Sequence, residues 1–554
     1  MNILGISCYY HDSAAVLIKD GELIAAAEEE RFTRKKHDNS FPSNAIDYCL
    51  NEGGLKISEI DKVCFHEKPI QKFDRILTTA GRSFPHGFQF FSHAIPEWLK
   101  TKLRIKKKIH KKLETKPPIE FSQHHESHAA SAFFPSPFKE AAILTIDGVG
   151  EWKTNQIWHG KEEEIKPLKH IDFPDSLGLL YSTITAFLGF RVNNGEYKLM
   201  GLASYGEPTY REEFKDIIEV EEDGSYELNQ KYFAYKHSRK MWGKKLEDRL
   251  GKPRNQEQEI NERHQNIAAT VQKITEEIIL KQVKYAKTLT DSENLCLAGG
   301  VALNCVANGK IRKKSDFDNI WVQPAAGDDG GALGTALISA NSSHIRMDDV
   351  YYGPSYSSER IRNSLEESEL SYERLDKEEL ADRAASILDN NEVLSLFQGR
   401  MEWGPRALGN RSILANPTDK EMVDKLNKKV KFRESFRPFA PTVLNKYASE
   451  YFDIKGDSPF MLFTFDVREA ARKEIPAVTH TDGTSRIQTL ERSTNPFYYD
   501  VIDSFRERTG VPVVINTSFN LKGMPIVNTP AEAIDCFQNS GIDKMILEDF
   551  LIKD

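Results

Sequence analysis

Alternating and continuous apolar runs at the start of the chain predict a three-stranded meander. The strand-like segments NILGIS, AAVLI and LIAAAEEE lie within residues 2–30 and are separated by the turns CYYHDS and KDGE. Residues 141–170 repeat this plan with AAILTI, TNQIWHG and KEEEIKPL, and their first turn is DGVGEW. Two such meanders indicate a duplicated unit, although two unrelated hairpins would give the same pattern. In a duplicated α/β nucleotide-binding fold, we expect the two first turns to face each other and to hold phosphates and metal.

Helices and one loop are predicted before and after the second meander. Apolar spacing predicts helices near residues 44–50, over residues 176–190 and, as a long amphipathic helix, over residues 260–288. Glycines punctuate NNGEYKLMGLASYG (residues 193–206), so we interpret this stretch as a loop. Its Lys198 is a candidate phosphate ligand, and a surface lysine is the alternative interpretation.

A buried strand followed by two glycines and a helix is a further candidate binding turn. NLCLAGGVALNCVANGKI places Gly299 and Gly300 in this turn and Asn304 at the start of the helix. Backbone amides at a helix N-terminus can approach an anion closely where glycine removes the side chain. Gly299, Gly300 and Asn304 are therefore candidate nucleotide-binding residues. The chain contains neither a P-loop motif nor a GxGxxG fingerprint, which excludes those two modes of phosphate binding.

Two histidines and two aspartates have the spacing of metal ligands. His124 and His128 are four residues apart, so a helix that begins near His124 puts both imidazoles on one face. Asp147 follows the strand-like AAILTI, and Asp328 lies in a strand-to-helix turn after NIWVQ. Imidazole and carboxylate ligands suit a divalent transition metal, with iron, manganese and zinc all open. Chance spacing of the histidines is the alternative, because two ligands on a helix do not complete a site.

The chain changes character after a polar, turn-rich stretch at residues 341–358. We place a domain boundary there, which divides the chain into residues 1–345 and 346–554, because 554 residues are too many for one core. The second part holds cations among glycines, prolines and aromatics: Arg406, Arg411, Lys431, Arg433, Arg437 and Arg486. Guanidinium groups in rigid turns suit bidentate capture of phosphate, and solvated arginines are the alternative.

Composition describes an ordinary globular protein, with 39% hydrophobic and 29% charged residues. The net charge of −8 disfavours a nucleic-acid partner, and the basic stretch at residues 100–112 is interpreted as a solvated helix face rather than a polyanion site. The chain has no apolar run of membrane-spanning length and no signal-like start, and its six cysteines form no CxxC pair. We therefore expect a cytoplasmic protein with reduced thiols and no membrane partner.

Motifs along nearly the whole chain give a resemblance to a known family. They are MNILGISCYYHDSAAVLI, HHESHAASAFF, LTIDGVGEW, GEYKLMGLASYG, LAGGVALNC, GDDGGALGTA, EWGPRALGNRSILANP, FRESFRPFAP, DGTSRIQT and VVINTSFNLKGMPIVNTP. Together they resemble the NodU/CmcH family of O-carbamoyltransferases. The resemblance implies an α/β protein with an N-terminal duplicated actin-like ATPase domain, similar to TsaD, followed by a C-terminal YrdC-like α/β domain.

The resemblance also implies a reaction and its ligands. Carbamoyl phosphate and ATP with magnesium give carbamoyl-adenylate in the YrdC-like domain, and the carbamoyl group then passes to a hydroxyl of a small-molecule acceptor. His124, His128, Asp147 and Asp328 match the family's iron-binding positions, with Asp329 left open as the alternative to Asp328. The positions that match the YrdC-like ligand residues are Lys431, Arg437, Arg486, Ser518 and Asn520, with Arg406 beside them.

Catalytic roles are expected for His11 and Asp12 in the first turn and for Lys431 and Arg437 in the second domain. His11 or Asp12 could deprotonate the acceptor hydroxyl, and a phosphate-facing or turn-capping role explains them equally well. Rival interpretations are a carbamoyl-adenylate enzyme that acts on a protein or a tRNA, and a non-catalytic nucleotide-dependent switch. The sequence identifies no acceptor and leaves a homodimer open.

Overall fold

A computed structural model describes residues 1–101, 103–340, 345–434 and 436–553, which form a mixed α/β protein. The strands are β1 Asn2–Ser7, β2 Ala14–Lys19, β3 Glu22–Glu28, β4 Lys62–Phe65, β5 Ile119–Phe121, β6 Glu140–Ile146, β7 Lys153–Lys161, β8 Glu164–Asp172, β9 Ile218–Val220, β10 Tyr226–Leu228, β11 Asn294–Ala298, β12 Asn319–Val322, β13 Ser371–Arg374, β14 Leu394–Phe397, β15 Arg411–Ala415, β16 Ala440–Leu444, β17 Thr464–Asp466, β18 Thr484–Arg486, β19 Gln488–Leu490, β20 Val513–Ser518, β21 Lys544–Leu547 and β22 Phe550–Lys553. The helices are α1 Glu30–Thr33, α2 Ser43–Glu52, α3 Pro69–Ser83, α4 Phe88–Thr101, α5 Ile105–Leu113, α6 His124–Phe133, α7 Leu177–Phe187, α8 Glu196–Ala203, α9 Arg211–Lys215, α10 Lys244–Leu250, α11 Glu262–Thr290, α12 Cys305–Lys314, α13 Asp328–Ala340, α14 Ser358–Ser368, α15 Lys377–Asp389, α16 Met422–Lys425, α17 Ala448–Tyr451, α18 Pro496–Thr509 and α19 Pro530–Gln538.

The chain forms two compact units. Unit 1 comprises Met1–Glu29 and His37–Met347, and unit 2 comprises Asp348–Asp554 together with the short segment Glu30–Lys36. Residues 341–344 of the boundary stretch that the sequence indicated, and Lys102 of the basic stretch, lie outside the described residues. Among the described helices, none combines the length and the apolar character that crossing a bilayer requires.

Unit 1 contains the same sheet twice. The first sheet has the order β3-β2-β1-β4-β5, and the second has the matching order β8-β7-β6-β11-β12. In each, the first three strands form an antiparallel meander and the last two run parallel to its first strand. This repeated topology confirms the duplicated α/β unit that the two meanders predicted.

Helices α6 and α13 pack closely in unit 1 because the residues between them are small. A Cβ atom on Gly334 of α13 would lie 1.7 Å from the Ser127 carbonyl oxygen of α6, so only glycine fits at this crossing. Ala129, Ala130 and Ala132 of α6 are fully buried. The close approach brings the first turn of α13, which begins at Asp328, beside the first turn of α6, which begins at His124.

Unit 2 is built on one mixed sheet with the order β13-β22-β21-β14-β15-β20-β16-β19. Strand β20 lies between β15 and β16, is antiparallel to both, and ends at Ser518. Helices α15 and α18 pack against each other. The α/β class of this unit is confirmed, and its YrdC-like character stays a prediction.

One local prediction was wrong. Residues 193–206 are not a loop throughout, since Glu196–Ala203 forms helix α8 with Leu199, Leu202 and Ala203 buried. Its sequence, EYKLMGLA, consists mostly of strong helix formers, which outweigh one interior glycine. The polar stretch before α11 contains β9, β10 and α10, with Phe214 and Leu246 buried.

Candidate functional site

The four predicted metal ligands of unit 1 lie together. One potential ligand atom from each of His124, His128, Asp147 and Asp328 lies within 4.8 Å of the others. His124 Nε2 is 2.9 Å from Asp147 Oδ2 and 3.2 Å from His128 Nε2. The carboxylate Oδ1 of Asp328 is 3.6 Å from His124 Nε2 and 3.7 Å from His128 Nε2. Two imidazole nitrogens and two carboxylates thus converge as a transition-metal site requires.

Burial and charge make this group suitable for a cation. All four residues are buried, and neither carboxylate oxygen of Asp328 accepts a hydrogen bond from any residue that the structure describes. Burial raises the pKa of Asp147 and Asp328, but neighbouring histidines outweigh it and leave both pKa values well below the usual range. Ionised carboxylates that lack donors are costly to bury unless a cation or a hydrogen bond compensates them.

Backbone groups fix the orientation of these ligands. The amide of Gly300 donates to Asp147 Oδ1 at 3.2 Å, so the two-glycine turn orients a predicted metal ligand. Gly299 has φ 89°, and a Cβ there would lie 2.3 Å from the Ile146 carbonyl oxygen. Glu151 accepts the His124 amide at 3.0 Å, which anchors the start of α6.

The first turn of unit 1 approaches the same cluster through a chain of polar contacts. His37 Nδ1 lies 2.7 Å from Asp12 Oδ1, and His11 Nδ1 lies 2.9 Å from Asp12 Oδ2. His11 Nε2 is 3.7 Å from Asp328 Oδ2. Burial lowers the pKa of His11, but Asp328 and Asp12 outweigh it and raise that pKa well above its usual value. His11 and Asp12 therefore lie where the sequence placed them, beside the predicted metal ligands, and His37 was missed because no local pattern pointed to it.

The structure distinguishes between the two adjacent aspartates. Asp328 contributes its carboxylate to the ligand group. Asp329 is buried, and burial together with Glu28 and Asp12 raises its pKa well above the usual range. The ligand group contains Asp328 and not Asp329, so the geometry favours Asp328.

A buried set of charged residues beside the cluster was also missed. Lys72 of α3 donates to Glu67, which follows β4, and the Lys72 Nζ lies 4.3 Å from the centre of the Tyr10 ring. Burial lowers the pKa of Lys72, but Glu67 outweighs it and raises that pKa. His66 lies near His124, with ring centroids 5.7 Å apart, and burial lowers its pKa to about 3. Glu67 lies two residues after the end of β4, as Asp147 lies just after β6, and this position is the signal that could have identified it.

The remaining nucleotide candidates of unit 1 have partners within the protein. Asn304 caps α12 through the Ala307 amide at 3.0 Å and exchanges amide hydrogen bonds with Gln272. Lys198 lies on α8, with its Nζ 5.9 Å from the centre of the Phe190 ring. Their roles in nucleotide binding remain predictions.

In unit 2, three predicted site residues meet at the end of β20. Lys431 is buried, and its Nζ donates to the Ser518 carbonyl oxygen, to the Asn520 carbonyl oxygen at 3.1 Å and to Asn520 Oδ1 at 2.9 Å. The Ser518 hydroxyl donates to Asn520 Oδ1 at 2.8 Å. Burial lowers the pKa of Lys431 well below its usual value, and nearby Arg433 and Arg437 lower it further. A buried lysine beside other cations suits an anionic ligand, which would restore its charge.

The other predicted cations of unit 2 differ in their surroundings. Arg433 donates from Nε to Asn427 Oδ1 at 2.8 Å and lies over the Phe439 ring at 4.4 Å. Arg437 is half-buried, with NH1 4.0 Å from Glu434 Oε2. Arg486 ends β18, and Arg406 lies in the loop between β14 and β15.

Arg411 is a structural residue, which corrects its place among the candidate phosphate ligands. Its side chain is fully buried and donates to four carbonyl oxygens, those of Gln398, Asn410, Pro354 and Gly399. Its guanidinium also lies 3.6 Å from the centre of the Phe397 ring. This guanidinium holds together the loops that contain these carbonyl oxygens. The sequence context alone did not distinguish Arg411 from Arg437.

Comparisons with known proteins cover both units. The family model described as Carbamoyltransferase N-terminus matches residues 2–337, and the model described as Carbamoyltransferase C-terminus matches residues 385–554. An uncharacterized protein of Synechocystis sp. is 46% identical over 592 aligned residues, covering 100% of this chain and 96% of that protein. Nodulation protein NolNO of Sinorhizobium fredii is 38% identical, covering 98% of this chain and 79% of that protein.

Similarity to solved structures is weaker. Component A of (R)-2-hydroxyglutaryl-CoA dehydratase from Acidaminococcus fermentans is 14% identical, with a TM-score of 0.33 over 62% of this chain and 99% of that chain. A TM-score of this size supports no inference. The family models and the sequence relatives, which span most of the chain, show that the protein belongs to the carbamoyltransferase family and is a carbamoyltransferase.

Proposed function

We propose that the protein is an ATP-dependent O-carbamoyltransferase that makes carbamoyl-adenylate and passes its carbamoyl group to a hydroxyl of a small molecule, such as a natural product or a sugar. The observation that carries the proposal is the environment of Lys431, a buried lysine beside Arg433 and Arg437. The net reaction consumes acceptor, carbamoyl phosphate, ATP and one water, and it releases the carbamate ester, AMP, pyrophosphate and inorganic phosphate.

The first half-reaction is assigned to unit 2. Water first hydrolyses carbamoyl phosphate to carbamate and inorganic phosphate. A carbamate oxygen then attacks the α-phosphorus of magnesium ATP, and pyrophosphate leaves. Lys431, Arg437 and Arg486 would bind the phosphate oxygens and stabilise the charge that develops on them. Ser518 and Asn520 would hold the Lys431 ammonium in place, as their hydrogen bonds to it indicate.

The second half-reaction is assigned to unit 1. His124, His128, Asp147 and Asp328 would hold one divalent ion, with iron the best candidate from the family resemblance, and such an ion supplies Lewis-acid polarisation of a carbonyl or phosphate oxygen. His11 Nε2 would accept the proton of the acceptor hydroxyl, while Asp12 keeps the ring oriented through Nδ1. A cation bound at Asp328 would offset one of the carboxylates that raise the pKa of His11.

The full chain tests the proposal in one assay. Purified protein is given ATP with and without carbamoyl phosphate, and pyrophosphate and AMP are quantified. We expect pyrophosphate only when carbamoyl phosphate is present, together with a carbamoyl mass gain on one member of a panel of hydroxylated metabolites. Pyrophosphate release that ignores carbamoyl phosphate, or carbamoylation without ATP, would contradict the proposal.

A further inference from the structure

A short segment from the N-terminal part of the chain is built into unit 2. Glu30–Lys36 clusters with unit 2, although the residues on both sides of it, through Glu29 and from His37 onward, belong to unit 1. Its sequence, ERFTRKK, is charged and resembles a solvated turn. The structure instead gives two of its arginines specific partners in unit 2.

Arg34 donates hydrogen bonds to the loop that follows β20, residues 519–529. Its NH1 donates to the Ile526 carbonyl oxygen at 2.7 Å, and its NH2 donates to the Pro525 carbonyl oxygen at 2.9 Å. The same guanidinium lies 3.2 Å from Glu532 Oε2. Glu532 in turn accepts the Asn528 amide at 2.7 Å, so the arginine holds both the middle and the end of this loop.

Arg31 donates a hydrogen bond to the other loop of the predicted anion site, residues 398–410. Its NH2 donates to the Gly404 carbonyl oxygen at 2.8 Å, two residues before Arg406. Met401 and Ala407 of this loop form a buried apolar cluster with Ile526 of the first loop. The two loops therefore pack on each other, and one short segment donates hydrogen bonds to both.

The loop of residues 519–529 carries a residue on which the proposed first half-reaction depends. Asn520, in residues 519–529, accepts two hydrogen bonds from Lys431. Its amide donates to the Met524 carbonyl oxygen at 2.7 Å, next to the Pro525 carbonyl that Arg34 holds. A displacement of residues 524–526 would thus be passed directly to Asn520 and the Lys431 ammonium.

We infer that Arg34, supported by Arg31, is a positioning residue for the carbamoyl-adenylate site, because it clamps the loop that orients Lys431. This inference rests on the proposed function of unit 2. One guanidinium donates to two carbonyl oxygens of this loop, and such a bridge restricts local opening of the loop. The clamp also explains why a charged N-terminal segment lies in unit 2 rather than in solvent.

The test uses the full chain with Arg34→Gly. Arg34 has φ 59° and closes α1, so glycine keeps the backbone conformation while removing the guanidinium. Arg263→Ala is the matched control, since Arg263 bridges the carbonyl oxygens of Leu250 and Lys252 in unit 1 at 2.6 and 2.7 Å. Three quantities are compared: amide hydrogen exchange, affinity for inorganic pyrophosphate, and the KM for carbamoyl phosphate in the pyrophosphate-release assay.

We expect Arg34→Gly to speed amide hydrogen exchange within residues 519–529. It should also weaken pyrophosphate binding and raise the KM for carbamoyl phosphate, each by about ten- to a hundredfold, the effect of lost charge-assisted hydrogen bonds. Added guanidinium ion at non-denaturing concentration should recover part of the loss, whereas Arg263→Ala should leave all three quantities unchanged. Unaltered exchange in residues 519–529, or unaltered pyrophosphate affinity, would overturn the inference. A wild-type chain that binds pyrophosphate but never releases it from ATP would instead contradict the proposed function. Amide hydrogen exchange and pyrophosphate affinity would in that case still test the positioning role of Arg34.

Discussion

The two units of this carbamoyltransferase gather opposite charges at their candidate sites. Unit 1 brings two carboxylates and two imidazoles within 4.8 Å. Unit 2 surrounds a buried lysine with further cations. In each, burial makes the group costly without a ligand of opposite sign, a divalent cation in unit 1 and a polyanion in unit 2. The contrast supports a division of labour in which unit 2 activates the carbamoyl group with ATP and unit 1 transfers it.

The division of labour is tested most strongly by removing the cations of unit 2. Each charge-assisted hydrogen bond is worth about 1.5–3 kcal/mol, so the double variant Lys431→Ala, Arg437→Ala should lower pyrophosphate release by roughly a hundred- to ten-thousandfold. Metal content should not change. Arg492→Ala, which removes an exposed arginine paired with Asp500 at 3.1 Å, is the control and should behave as wild type. Loss of metal from the double variant would contradict the separation of the two sites.

The next largest effect is expected from His128→Ala. Partners outside the ligand shell already change metal affinity by about ten- to a hundredfold, so removal of a ligand should exceed that. Metal analysis after dialysis measures it. Pyrophosphate release should persist while carbamoylated product disappears, because the cations of unit 2 are untouched. If folded His128→Ala lost pyrophosphate release, both half-reactions would have to share one site.

Arg411 and Arg437 provide a matched contrast within unit 2. Arg411→Ala leaves four carbonyl oxygens without their donor and should lower the free energy of unfolding by about 3 kcal/mol, as breaking a buried charged network does. Arg437→Ala removes a half-buried side chain and should change stability by less than about 1 kcal/mol while impairing pyrophosphate release. Urea unfolding of both variants checks this. Equal destabilisation would mean that Arg437 is structural as well.

The secondary-structure elements that follow a periodic pattern of apolar residues were predicted from the sequence. Both meanders and the long helix α11 follow from apolar spacing, and the spacing of His124 and His128 with two aspartates after strands located the ligand cluster. Patterns did not reveal α8, since glycines suggested a loop. They could not separate Arg411 from Arg437, because burial depends on the tertiary structure.

Residues whose burial depends on tertiary contacts were the hardest to predict. Lys72 is buried against Glu67, and a lysine on an amphipathic helix is ordinarily solvated. Glu30–Lys36 has the composition of a surface turn, so the predicted division into residues 1–345 and 346–554 assigned it to the first part, whereas it clusters with unit 2. A C-terminal fragment that starts near residue 346 would therefore lack Arg31 and Arg34.

The smallest expected effect, a pH dependence, tests whether the charge of Lys431 is coupled to ligand binding. Its pKa in the folded protein lies well below the usual value of 10.5, so between these two values the unfolded chain binds more protons and stability rises with pH. An anion that restores the charge must therefore bind together with a proton, and affinity for carbamoyl phosphate should fall with rising pH by at most about tenfold per unit. Calorimetry above about pH 8, where the phosphate itself is fully ionised, in buffers of different ionisation enthalpy should show proton uptake on binding.

Arg437→Ala sharpens this measurement because it removes one of the cations that lower the pKa of Lys431. The pKa of Lys431 should then rise, more of the free protein should already hold the proton, and proton uptake should fall even though binding is weaker. The unit 1 variant His128→Ala should leave the uptake as in the wild type. Binding without proton uptake in the wild type would show that Lys431 keeps its charge in the free site, and the contrast between the units would then rest on the ligand cluster of unit 1 alone.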